Sequence, residues 1–204
     1  EPVTATWLAD HTGHAAEEIT DRALKRWRRL LRMEQRGDRK TWRVIHGSFT
    51  DFLAEKVDLP QVHHLIAHRY LEDWDGSDVD SSELQIPQHR SSSVAYGLRH
   101  LIHHLAEAQE ADRFVPLLAS PSWLQNKLEV TDVNALLTDY DLALAHSKDK
   151  ILQLIQAAIR ASAHVVNRDK TQLWSQLHGR LMAHAASGIR EALSHRPGTP
   201  WLRT

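Results

Sequence analysis

From Ser91 onward, apolar residues recur at the three- and four-residue spacing of an α-helix, and this pattern constrains the fold more than any other feature. Val94, Leu98, Leu101, Ile102 and Leu105 make one stripe, and Phe114, Leu117 and Leu118 begin its partner. Pro121 starts a further helix carrying Trp123, Leu124 and Leu128, at the position where proline sacrifices no hydrogen bond. Leu136, Leu137, Tyr140, Leu142 and Leu144 continue the pattern. Ile151, Leu154, Ile155, Ala158 and Ile159 mark the first of two closing helices. Leu173, Leu177, Leu181 and Ala185 mark the second, with Gly188 loosening its end. Only 8 glycines and 7 prolines interrupt 204 residues. Helices joined by such short loops predict stacked hairpins, and the lack of a strict internal repeat argues against a solenoid.

The N-terminal part reads differently. Thr4 can cap a helix running to about His11, and Thr12-Gly13-His14 is a turn. A helix from Ala15 to Leu31 carries Ile19, Ala23, Trp27, Leu30 and Leu31. Leu31 to Gln35 and Thr41 to Ile45, joined across Arg36-Gly37-Asp38-Arg39, predict a β-hairpin. Two helices followed by a hairpin is the order of a winged helix, here over residues 1–57. Pro60 opens a helix to about Trp74, and Asp73 to Arg90 is polar enough for a long loop, so residues 58–91 read as a connector. Residues 92–195 form the helical domain and 196–204 a tail. The expected class is mainly α: a helix-turn-helix with one hairpin, then a bundle of paired helices. The Trp residues at 27, 42, 123, 174 and 201 should anchor cores and domain contacts.

The run Trp42 to Leu53 joins a strand of alternating pattern to an apolar helix start, with His46 at the junction. A titratable ring beside the free amides of a helix N-terminus is well placed to meet an anion. The bland readings are that His46 caps the helix or packs beside Trp42 and Phe49. Ser48 is then the expected N-cap of a helix from Phe49 to Lys56.

Ile45-His46-Gly47-Ser48-Phe49 and Phe52-Leu53 resemble the F-x-F-x-H-x-S-F-x-E-F-L run in the winged helix of STAND-class NTPases, which include the NACHT and NB-ARC switch proteins. Asp51 stands where that family usually has Glu. Four later runs resemble the helical segment that follows the winged helix in bacterial STAND proteins. They are Tyr96 to Ala108 (Y-x-L-R-H-L-x-x-H-L-x-x-A), Trp123 to Leu128 (W-L-x-x-K-L), Leu136 to Leu144 (L-L-x-D-Y-x-L-A-L) and Gln176 to Leu181 (Q-L-x-G-R-L). Pro200-Trp201-Leu202-Arg203 resembles the lead-in to a WD-repeat β-propeller. The resemblance implies a regulatory segment in a cytoplasmic signal-transduction protein. Its partners would be an upstream NTPase core and a downstream β-propeller of the same polypeptide, with self-association on activation. His46 would touch the phosphates of ADP or ATP held by that core. The chain opens without Met, so an excised segment of a larger protein is expected.

Rival chemistries remain. Arg22, Lys25, Arg26, Arg28, Arg29 and Arg32 crowd the helix before the hairpin, where a DNA-binding winged helix keeps its recognition helix. Arg39 and Arg43 could add phosphate contacts. Against DNA, Glu17, Glu18 and Asp21 offset the charge, and a formal net charge of −1 gives no global pull toward nucleic acid. The histidine pairs His64/His68 and His100/His104 have the i, i+4 spacing that can chelate zinc, but no third ligand stands at diagnostic spacing. A third possibility is a scaffold that binds a protein partner through residues 92–195. The sequence shows no Gly-x-x-x-x-Gly-Lys-[Ser/Thr] loop and no nucleophile with a base, so no catalysis and no cofactor are expected of the chain itself. It has no cysteine for disulfides or thiolate sites, and no apolar stretch near the roughly 20 residues of a membrane span.

Overall fold

The computed structural model describes residues 2–74, 86–87 and 92–182. Most of the loop expected over Asp73 to Arg90 lies outside these residues. So do Ala185, Gly188, Trp201 and the tail expected from 196. The chain divides into two compact units, Glu1–Arg69 and the part from Tyr70 onward, the division falling inside one long helix.

In the first unit, β1 (Val3–Thr4) leads directly into α1 (Ala5–Thr12). As the sequence predicts, Thr4 caps α1: its Oγ1 accepts the Trp7 N–H at 3.0 Å. Gly13 closes the helix at φ 71°, a left-handed conformation that glycine adopts without strain. The helix expected from Ala15 to Leu31 is shorter and broken. Regular α2 covers Ala16–Ile19, a π-helical turn covers Thr20–Leu24, and turns continue to Leu30. Two features account for the break. The Thr20 hydroxyl donates back to the Ala16 carbonyl at 2.8 Å, and the Lys25 N–H reaches Thr20 O instead of a carbonyl four residues back.

The hairpin is as expected: β2 (Leu31–Arg36) and β3 (Arg39–Val44) pair antiparallel from Leu31↔Val44 to Arg36↔Arg39. Gly37 takes φ 59° in the tight loop. A third strand was not legible in the sequence. β1 pairs with β3 in register Val3↔Trp42, giving the order β1-β3-β2. Two residues are too few to show alternation. After β3 come α3 (Gly47–Ala54), which packs on β3, and α4 (Leu59–Trp74).

The second unit is helical throughout its described residues: the end of α4, α5 (Ser92–Glu107), α6 (Phe114–Leu118), α7 (Pro121–Val130), α8 (Val133–His146), α9 (Lys150–Val166) and α10 (Leu173–Leu181). Starts are set by caps. Ser120 accepts from the Trp123 N–H, Asp132 from Ala135, and Asp149 from Ile151 and Leu152 at 2.7 and 3.0 Å. α5 packs on α7 and α8, and α9 packs between α8 and α10, as stacked hairpins should. The apolar stripes read from the sequence are the core: Leu98, Leu101, Leu105, Phe114, Leu118, Trp123, Leu128, Leu136, Tyr140 and Ile159 are all essentially buried. No helix among the described residues is long and apolar enough to cross a membrane.

Candidate functional site

The strand-to-helix corner is set by local chemistry. β3 ends at Val44, and Ile45 extends the ladder by donating to Leu30 O at 3.0 Å. His46 then takes φ −115° and ψ 133°, the extended conformation of an N-cap, and its carbonyl accepts the Phe49 N–H at 3.1 Å. Its side chain makes no capping bond. The expectation that Ser48 caps a helix from Phe49 is therefore wrong. The helix starts two residues earlier, with Gly47 first and Ser48 inside the first turn, so the hydroxyl is past the position from which it could cap. Nor does the imidazole pack beside Trp42 and Phe49; it is exposed. Phe49 instead meets Trp27 edge-on at 5.9 Å and stacks toward Phe52 at 6.4 Å, fixing α3 under the sheet. Among the described residues the His46 imidazole has no hydrogen-bond or ionic partner, and no acidic residue occupies the first turn of α3. A free imidazole beside unpaired helix-start amides is chemically suited to an anionic oxygen, a nucleotide phosphate included.

Some of the cations that could meet DNA are engaged elsewhere. Arg22 bonds Glu18 at 2.7 Å, Lys25 bonds Asp21 at 2.5 Å, and Arg43 meets Glu34 at 3.3 Å. The Arg22 hydrogen bond holds the Glu18 carboxyl below its ordinary range. Arg26 and Arg29 are exposed, with no acidic partner among the described residues. The short α2 also departs from a continuous recognition helix.

The histidine pairs separate in character. His64 and His68 lie ring against ring on α4, centroids 4.0 Å apart. His104 is buried and its Nε2 pairs with the Tyr96 hydroxyl at 3.1 Å, while His100 lies against the Tyr96 ring. His100 and His104 gain no third carboxylate or imidazole ligand among the described residues.

Sequence reasoning missed the polar groups that hold the second unit together. Lys127 is buried in α7, its Nζ 2.7 Å from Asp139 Oδ2 on α8 and 3.1 Å from the Arg99 carbonyl on α5, so one ammonium ties three helices. Burial lowers the Lys127 pKa below its usual value, opposed by Asp139. It raises that of Asp139 to about 6, opposed by Lys127. Next to it, the Tyr140 hydroxyl donates to Leu118 O at 2.6 Å, and burial pushes that phenol well up. Arg180 on α10 donates from Nε to the buried Ser162 hydroxyl of α9 at 2.7 Å. Gly97 lets α5 approach α4, because a Cβ there would stand 2.6 Å from the Tyr70 ring and 2.8 Å from Trp74. The available signal was a charge on an apolar stripe: Lys127 shares its helix face with Trp123, Leu124 and Leu128, and a buried ammonium requires a partner. Each of these residues falls within the four family-like runs, except Leu118, Ser162 and the aromatic pair of α4.

Paired helices locked by internal polar contacts make a helical segment of the kind found in STAND-type NTPases. Residues 59–178 match the APAF-1 helical domain, and the chain belongs to that family. The match begins at the first residue of α4 and reaches into α10. No curated protein sequence matches the chain.

Proposed function

We propose that this chain is the regulatory segment that couples the nucleotide state of an upstream NTPase core to a downstream sensor, a WD-repeat β-propeller, in a NACHT- or NB-ARC-like switch of the bacterial cytoplasm. Membership in the APAF-1 helical domain family supports a regulatory part in such a protein. The observation that carries the mechanistic reading is His46, exposed and unpartnered at the N-terminus of α3. The fit to a phosphate is good: a ring that can donate, amides that point outward, and no carboxylate in the first turn. ADP or ATP held by the core would supply the anion, and the residues here that would meet it are His46 and the first amides of α3. In the ADP state this corner would hold the switch closed. On exchange the hairpin unit would swing away, and copies would associate.

Removing one charge-assisted hydrogen bond costs about 1.5–3 kcal/mol. His46→Ala in the intact protein should therefore release ADP at least about tenfold faster and raise basal self-association. A fluorescent-ADP release measurement decides it, and an unchanged off-rate refutes the sensor role. Arg26 and Arg29 leave one rival standing. If residues of the first unit bind DNA, a labelled duplex will shift with a steep salt dependence, strongest at about 50 mM salt.

A further inference from the structure

The first unit contains a cavity of about 430 Å³, open on one side, between α1, α2 and the inner face of the sheet. Its walls include Leu8, Ile19, Leu24, Trp27, Leu31 and Trp42. Its lining is largely apolar, so apolar side chains are favoured over water as its contents. We propose that it is a docking site for an amphipathic helix with acidic flanks, whose apolar side chains fill the cavity while its carboxylates meet the basic surface around it.

Three observations choose this occupant. The apolar surface does not stop at the mouth. Trp27 and Val44, which line the cavity, remain 43 and 37% exposed. Large apolar side chains that line a cavity and still stand open to solvent suit a peptide that lays down several anchors. Much of the lining comes from α1, α2 and the turns that follow, so a strand added at the β2 edge would leave those walls uncovered. Finally, the charge calls for an acidic partner. Between Thr20 and Val44 there are ten Lys and Arg against three Asp and Glu. Arg26, Arg28 and Arg29, which flank Trp27, have no acidic partner among the described residues. A nucleic acid would satisfy the charge but leave the apolar walls bare. The proposal is independent of any nucleotide role for His46.

The test uses the full chain and a fluorescein-labelled synthetic peptide of about 18 residues, long enough to form a helix. One face of the peptide carries Leu and Phe, and the other carries Glu. Anisotropy should report saturable binding. Ala23→Phe, which places a ring in the cavity, and the exposed triple change Arg26→Glu, Arg28→Glu and Arg29→Glu should each weaken it by at least about tenfold. Circular dichroism identifies any variant that fails to fold, and the triple change, lying on exposed turns, keeps the test open if Ala23→Phe does. Absence of binding overturns the proposal. So does equal binding of a peptide with Ser in place of Leu and Phe, or displacement of the peptide by a DNA duplex at equal concentration, either of which would mark a purely electrostatic surface. A concentration-dependent dimer that Ala23→Phe abolishes would overturn it in favour of a second copy of the chain.

Discussion

The two units use their apolar residues in opposite ways. In the unit from Tyr70 onward, stripe after stripe goes inward, and even Trp74, Trp123 and Tyr140 are at most 2% exposed. In the first unit, Ile19, Leu24 and Ala67 are the buried apolar residues among those described, while Phe52 is 52% and Leu65 56% exposed. Both units have regular elements and capped helices, so local propensity does not separate them. What separates them is closure. One completes a core from its own helices and locks it with Lys127, Asp139, Tyr140 and Arg180; the other holds a hairpin, short helices and an open cavity. A unit with its own core can transmit a displacement as a rigid body, whereas one with apolar surface to spare is built to contact something else.

The sharpest way to break the contrast is to remove one half of the buried ion pair. Lys127→Met leaves Asp139 buried without its cation and should cost about 3–5 kcal/mol in urea unfolding. The double change Lys127→Met with Asp139→Leu should recover most of that loss, because an apolar pair of similar volume needs no desolvated charge. If the single and double variants are equally unstable, the pair is not the lock described. Gly97→Ala comes next. With Tyr70 and Trp74 in the way, overpacking should cost about 1–3 kcal/mol, where glycine-to-alanine in an exposed helix would instead stabilise.

A smaller effect follows from pH. The Asp139 carboxyl holds its proton up to about 6 in the folded chain against 3.8 as its ordinary value. Folding therefore takes up a proton between those values. This carboxyl's contribution to stability is fully present below about 3.8 and is lost as pH rises through about 6. Unfolding free energies of the parent chain and of the double variant, compared from pH 7 down to pH 4, should diverge in the parent's favour; a constant difference contradicts the linkage. Smallest of all is Leu65→Gln. At an exposed site in the first unit it should change stability by no more than about 0.5 kcal/mol, and a loss of several kcal/mol would mean that this surface is core after all.

Much of the helical unit was legible because period, proline and caps agree. Pro121 begins α7, Asp132 and Asp149 cap α8 and α9, and most of the Leu positions are buried. The hairpin was legible from its Gly-bearing loop. Three things were not. β1 is two residues long and owes its strand state to β3, a partner about forty residues away. The helix expected to Leu31 breaks because Thr20 competes for the Ala16 carbonyl, a choice that spacing does not record. Lys127 and Asp139 stand twelve residues apart, and nothing in either helix alone says that the two charges face each other. At the candidate site the sequence pointed to His46, but it misplaced the cap, because a helix start is decided by backbone angles and not by the nearest serine.

The most direct test of the regulatory account is amide hydrogen exchange in the intact protein, ADP-loaded and nucleotide-free. The account predicts that peptides spanning His46 to Ala54 exchange more slowly with ADP bound, while those of α9, closed within its own unit, keep the same rate. Equal exchange at His46 to Ala54 in the two states would contradict a phosphate contact at this corner.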